Sequence, residues 1–130
     1  MPHIIVDYSA NLEDRLDVAA LCHALKDAAA ATGVFPPAGI RVRAYAADHV
    51  VIADGDARHG FVDIIMRIAA GRTAEAKTTA TEAVFEAARA FTADLMAAAP
   101  FMLSLELREM DATFSRKASS IRDYLPADMK

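Results

Sequence analysis

Apolar and polar side chains alternate over four short stretches of the chain and recur at helical spacing over two longer ones. Alternation puts every second side chain on one face of a strand, whereas recurrence at the helical period builds an apolar stripe. Residues 2–8, from Pro2 to Tyr8, form a short β-branched run and predict a first strand. Residues 11–31 carry a helical pattern, with Asn11 placed as its N-cap and Gly33 as its stop. Phe35-Pro36-Pro37-Ala38-Gly39 must turn, because neither proline can continue a helix. Residues 39–47 then predict a second strand, and Asp54-Gly55-Asp56-Ala57-Arg58-His59-Gly60 a polar turn. The pattern starts again with a strand over 61–69, a helix capped by Thr73 and running to about Ala98, a stop at Pro100, and a strand over 101–110.

The order is therefore strand–helix–strand twice, in halves spanning about 1–55 and 60–111 of a single 130-residue domain. The class is α/β (α+β), and the repeat suggests duplication. A helical crossover within each half makes its two strands parallel. One sheet face collects Ile4, Val6, Ile40, Val42, Leu103, Leu105 and Leu107, which the helices can cover. Val84, Ala88, Phe91 and Leu95 give the second helix the matching core stripe. The opposite face collects His3, Ile5, Asp7, Arg41, Arg43, Ser104, Glu106 and Arg108. That mixture meets either water or an interior shared by several subunits. The tail, residues 112–130, is an arm or short helix whose Phe114, Ile121, Tyr124 and Leu125 stand among charges, as suits contact with a neighbouring subunit.

Composition narrows the function. With 55% hydrophobic and 25% charged residues the chain is an ordinary globular one, and its net charge of −4 argues against binding a nucleic-acid backbone or an anionic lipid surface. Nothing resembles a membrane span or a signal peptide, so a cytoplasmic location is expected. The lone Cys22 allows no internal disulfide, and its apolar helical setting suggests a buried, inert thiol. His3, His23, His49 and His59 form no metal-binding pattern, so a metal site is not expected, and no glycine-rich phosphate loop or nucleophile elbow occurs.

Three residues can carry chemistry. Methionine ahead of proline is normally trimmed, and removal of Met1 would leave Pro2 as a secondary amine fixed in a ring. A free α-amino group titrates near roughly 8, and burial beside cations lowers that value towards what proton abstraction next to a carbonyl requires. Arg41 follows the Pro36-Pro37-Ala38-Gly39 turn, and Arg72 stands between a strand and a helix N-terminus, where the helix dipole and free N–H groups also favour anions. Together they suit a dicarboxylate with a 2-oxo or 2-hydroxy end. Arg43 shares Arg41's strand face, and His3 adjoins Pro2.

Met1-Pro2-His3-Ile4-Ile5-Val6, the run from Ala31 through Pro36-Pro37-Ala38-Gly39 to Arg43, the Ala53-Asp54-Gly55 turn, Phe61-Val62 and Ile68-Ala69-Ala70-Gly71-Arg72 occur in that order. As an ordered set they resemble the 5-carboxymethyl-2-hydroxymuconate isomerases of the tautomerase superfamily. The stretch Gly71 to Lys77 also resembles the strand–helix junction of 4-oxalocrotonate tautomerase. The resemblance implies a duplicated β-α-β tautomerase fold: a four-stranded sheet with two helices on one face, assembled as a homotrimeric barrel. It implies Pro2 as catalytic base, Arg41 and Arg72 as substrate-binding groups, and no cofactor. The implied reaction shifts a double bond in an unsaturated hydroxy-carboxylate from homoprotocatechuate breakdown, converting a dienol to a conjugated ketone. The second half has no proline matching Pro2 and carries Ser104 and Glu106 where Arg41 would be matched, so one site per chain is expected. The alternatives are another N-terminal-proline tautomerase, of keto–enol or dehalogenase-like type, and a non-enzymatic oligomeric binding module on the same fold.

Overall fold

Two strand–helix–strand units lie side by side and share one sheet. A computed structural model of the chain describes residues 2–130. The main elements are β1 (His3–Ser9), α1 (Val18–Ala31), β2 (Arg41–Ala47), β3 (Gly60–Ala69), α2 (Ala74–Phe91), α3 (Ala93–Ala98) and β4 (Phe101–Met110). The strand order is β2-β1-β3-β4. Within each unit the strands run parallel, as a helical crossover demands, and β1 meets β3 antiparallel at the junction.

The register gives the expected two faces. Val42, Ile4, Met66 and Leu107 form one row across the sheet; Ala44, Val6, Ile64 and Leu105 form the next. Ile4, Val6, Ile64 and Met66 in these rows are fully buried, and Val42, Leu105 and Leu107 pack on them as partly buried neighbours. Helix α1 contributes Leu21, Leu25 and Ala29 to the same core, and α2 contributes Ala80, Val84 and Ala88. Stripe and sheet therefore meet as the hydrophobic periodicity requires. The far face carries the polar set, with Tyr45 and Met102 strongly exposed on it.

Three details differ from the sequence expectation. First, α1 starts at Val18 and not next to Asn11. Leu12 and Leu16 are buried at helical spacing, but a 3-10 turn at Ala10–Leu12 and a short polar link supply them. The N-cap is Asp17, whose carboxylate accepts a hydrogen bond from the Ala20 N–H at 3.0 Å. Asn11 instead donates to the carbonyls of Ala57 (3.2 Å) and His59 (2.7 Å), tying down the polar turn before β3. Gly60 ends that turn against Leu12 so closely that an added Cβ would sit 2.7 Å from Leu12 Cδ2.

Second, the helix capped by Thr73 stops at Phe91. Buried Thr92 turns its hydroxyl back to donate to the Ala88 carbonyl at 2.8 Å, and α3 starts anew behind it. A threonine hydroxyl competing for a backbone carbonyl bends or breaks a helix in this way. Third, Cys22 is only half-buried, although that burial still raises its thiol pKa. The tail forms 3-10 turns at Ala112–Phe114, Ile121–Tyr124 and Ala127–Met129, with Phe114 and Tyr124 largely exposed.

The cap assignment is testable. Asp17→Ala should cost about 1 kcal/mol in urea unfolding, the usual loss for a helix N-cap. A variant as stable as the parent would show that α1 does not depend on Asp17.

Candidate active site

Chain entry and strand pairing bring the first two site residues together. Pro2 leads directly into β1, and its ring is fully buried. The Arg41 N–H donates to the Pro2 carbonyl at 3.1 Å, so β2 begins against the residue before β1. The expected removal of Met1 lies outside the described residues.

One residue further on, His3 stands opposite Arg41 on one side and Arg67 on the other, and Arg67 stands opposite Arg108. Arg108 is neutralised by an ion pair with Glu106. The other cations of this row have no carboxylate partner among the described residues. Arg41 Nη2 lies 2.8 Å from His3 Nε2, and Arg43 Nη1 lies 3.0 Å from His3 Nδ1. Burial, then the charges of Arg41, Arg67 and Arg43, push the His3 pKa down from 6.5 to about 4. His3 is therefore neutral at pH 7. A neutral imidazole has one acceptor nitrogen and one N–H, so it can accept from only one of the two guanidinium groups. The other arginine keeps unspent N–H donors on the same face, which is a standing demand for an anion or another acceptor.

Arg72 is set by a different device. Gly71, at φ +110°, makes the left-handed turn after β3 that a side chain would oppose. Thr73 then caps α2 by accepting from the Ala76 N–H at 3.1 Å. Between them Arg72 folds back, donating to the carbonyls of Val34 (3.4 Å) and Ala69 (3.3 Å). Its guanidinium carbon lies 4.9 Å from the ring centre of Phe35. That stack on a buried aromatic fixes the direction of the charge.

Arg41 and Arg72 nevertheless border different cavities. One, of about 440 Å³, is lined by His3, Arg41 and Arg67 together with Arg116 and Lys117 of the tail. The other, of about 420 Å³, is lined by Pro36, Gly39 and Arg72 together with Lys117 and Arg122. Lys117 borders both, so the tail lies across this end of the sheet. Pro2 lines neither cavity directly. A further cavity of about 480 Å³, walled by Asp48, His49 and His59, lies at the far end of β1 and β2 and touches none of these groups.

Sequence reasoning missed Arg67, Arg116, Lys117 and Arg122. Alternation along β3 carried a signal for Arg67, since it shares a face with Asp63 and Ile65. The tail residues had none, because their placement depends on how the irregular chain returns.

A duplicated βαβ sheet with helices on one face and a proline entering its first strand defines the tautomerase superfamily. The fold likeness extends to a solved fused 4-OT wild-type symmetric trimer, with a TM-score of 0.61 at 26% identity. Closer relatives are more specific. A family model for 5-carboxymethyl-2-hydroxymuconate isomerase matches residues 2–125. The chain is 36% identical over 121 residues to the 5-carboxymethyl-2-hydroxymuconate Delta-isomerase of Escherichia coli, covering 93% of this chain and 96% of that one. A crystal structure of a 5-carboxymethyl-2-hydroxymuconate delta-isomerase matches with a TM-score of 0.89 at 31% identity, over 95% of this chain and 92% of the other. A 5-carboxymethyl-2-hydroxymuconate isomerase from Deinococcus radiodurans R1 matches with a TM-score of 0.87 at 30% identity, over 96% and 95%. The chain belongs to the 5-carboxymethyl-2-hydroxymuconate isomerase family.

The depressed His3 pKa makes a prediction with a defined sign. The unfolded chain takes up a proton on His3 below about 6.5, whereas the folded chain resists until about 4. Stability therefore falls as pH drops through that window. His3→Gln removes this contribution. The melting temperature of the parent relative to His3→Gln should decline from pH 6.5 to pH 4, and a constant difference would mean that His3 is not held neutral by its arginines.

Proposed function

We propose that the protein is a cofactor-independent isomerase in which the ring nitrogen of Pro2, freed by loss of Met1, carries a proton between two atoms of 5-carboxymethyl-2-hydroxymuconate. The substrate is a dienol bearing carboxylates. Its hydroxyl loses a proton to Pro2 and its far diene carbon gains one, so the double bond moves and a conjugated ketone results. No electrons enter or leave, and no atom is added, so the side chains suffice for the chemistry.

Each residue has a physical reason for its role. The cations around His3 disfavour a second positive charge nearby, which keeps a neighbouring amine closer to neutrality than the usual value of roughly 8. Arg41 offers a guanidinium at the same strand end, and Arg72 offers one fixed over Phe35. Both favour the carboxylates and the dienolate that develops as the hydroxyl proton departs. The observation that carries the reading is buried Pro2, whose carbonyl accepts from the Arg41 N–H, standing next in the chain to a neutral imidazole held among guanidinium groups. The chain's match to the isomerase family over residues 2–125 supports it.

The wider setting follows from the same reading. The polar sheet face becomes the inner wall of a homotrimer, and the enzyme works in the cytoplasm on aromatic breakdown products. No helix among the described residues is long and apolar enough to cross a membrane.

The test is a turnover assay on mature protein whose N-terminus has been checked by mass spectrometry. Pro2→Ala should lower kcat by about 10²- to 10⁴-fold, the range for a positioned general base. Arg41→Ala and Arg72→Ala should each cost about 2 kcal/mol in kcat/KM, on the order of thirtyfold, as for a lost hydrogen bond to a charged group. Full activity in Pro2→Ala would exclude the proline mechanism. Faster turnover of phenylpyruvate enol than of the muconate would make the protein a keto–enol tautomerase on this fold.

A further inference from the structure

The proposed chemistry uses Pro2, Arg41 and Arg72 and leaves the tail unexplained. Residues beyond β4 contribute nothing to the hydrophobic core cluster, and Phe114 and Tyr124 stay largely exposed. Core burial therefore does not account for where the tail lies. Yet the segment returns to the Pro2 end of the sheet, placing Arg116 and Lys117 on the Arg41 cavity and Lys117 and Arg122 on the Arg72 cavity.

The charge distribution there is unusual for this chain. The net charge is −4, and elsewhere cations find acidic partners: Lys26, Arg58, Lys77, Arg89 and Arg108 each hold a carboxylate. Arg41, Arg67, Arg72, Lys117 and Arg122 hold none among the described residues, although they gather around two adjoining cavities with only Asp123 as an acid in the lining. Like charges brought together without partners repel, so such a cluster is stable only with an anion to share or at a cost in folding. The tail contributes its share of that cost without compensating burial.

The family's named substrate supplies the missing partner. A muconate is a dicarboxylate, and the carboxymethyl arm adds a third carboxylate. Arg41 and Arg72, the arginines the proposed chemistry uses, match two of them and leave one unassigned. Lys117 stands at the border of both cavities, and Arg122 lies beside it on the Arg72 side.

We propose that Lys117 and Arg122 of the tail bind the third carboxylate of the substrate, making this segment the determinant that distinguishes a tricarboxylate from a dicarboxylate. This rests on the isomerase reading given above. A compact ammonium on a flexible stem suits a carboxylate whose position varies on a methylene arm, and Arg122 adds a directed donor pair. Both side chains act on binding and touch no reacting atom, so they are specificity residues, not catalytic ones.

The experiment compares kcat/KM for 5-carboxymethyl-2-hydroxymuconate and for 2-hydroxymuconate, which lacks the third carboxylate. The enzymes are wild type, Lys117→Met, Arg122→Met, the double variant and Lys117→Arg. The double variant should lose about 10- to 100-fold on the tricarboxylate, mainly through KM, and stay within about twofold on the dicarboxylate. Lys117→Arg should retain most of the discrimination. Equal losses on both substrates, or no loss on either, would overturn the assignment while leaving the isomerase reading intact. Wild type inactive on both substrates would remove the isomerase reading and this inference with it. Both positions are exposed, so thermal melts of the variants should match the parent and exclude misfolding as the cause of a loss.

Discussion

A single backbone hydrogen bond, from the Arg41 N–H to the Pro2 carbonyl, sets where everything else at this end of the molecule lies. It fixes the register in which His3 faces Arg41 and Ile5 faces Arg43. Because side chains alternate, a slip of one residue would send Arg41 and Arg43 into the core and Val42 out of it. The buried row of Val42, Ile4, Met66 and Leu107 resists that slip, since each would have to exchange an apolar site for water. The core thus defends the polar face by defending its own alternation.

Electrostatics works against this arrangement. Arg41, Arg43 and Arg67 surround a histidine held uncharged at neutral pH. Without an anion, their mutual repulsion is relieved only by water and by one acceptor nitrogen on His3. The fold supports such a cluster because the strands carrying it are held by a core on their other face. Arg72 shows the complementary solution: its guanidinium is satisfied by two carbonyls and an aromatic ring, so it is directed but not neutralised.

The sheet was legible in the sequence because its signal is local and repeated. Alternation from Ile4 to Val6 and from Leu103 to Leu107 names the buried face without knowledge of strand order. The two crossovers then leave parallel pairing as the only short solution. The helix boundaries were less legible. Leu12 and Leu16 have helical spacing but belong to a 3-10 turn and a link, and spacing alone cannot distinguish these from a first helical turn. Thr92 breaks a pattern that Leu95 continues on the same face, so the stripe conceals the interruption. Pro2, Arg41 and Arg72 were singled out as candidates because turns and strand starts mark them. Arg67 and Lys117 were not, because they reach the site through an antiparallel pairing and an irregular return whose geometry no periodicity encodes.

Duplication makes the asymmetry of the chemistry instructive. At the opposite end of the sheet the Gly60 N–H donates to the Pro100 carbonyl at 3.0 Å, so a proline again opens a strand against its neighbour. Pro100 is mid-chain, however, and its nitrogen is an amide with no basic lone pair. The strand it opens also places Phe101 and Met102 where the first unit places charge. The same backbone device therefore serves two purposes. In the second unit it closes the sheet. In the first it sets a ring at the head of the strand whose next residue, His3, lies among guanidinium groups. Pro2 opens the first strand of its unit and Pro100 the last strand of the other, so the repeat gives Pro2 no counterpart, and the two ends of the sheet differ in charge as well as in covalent state.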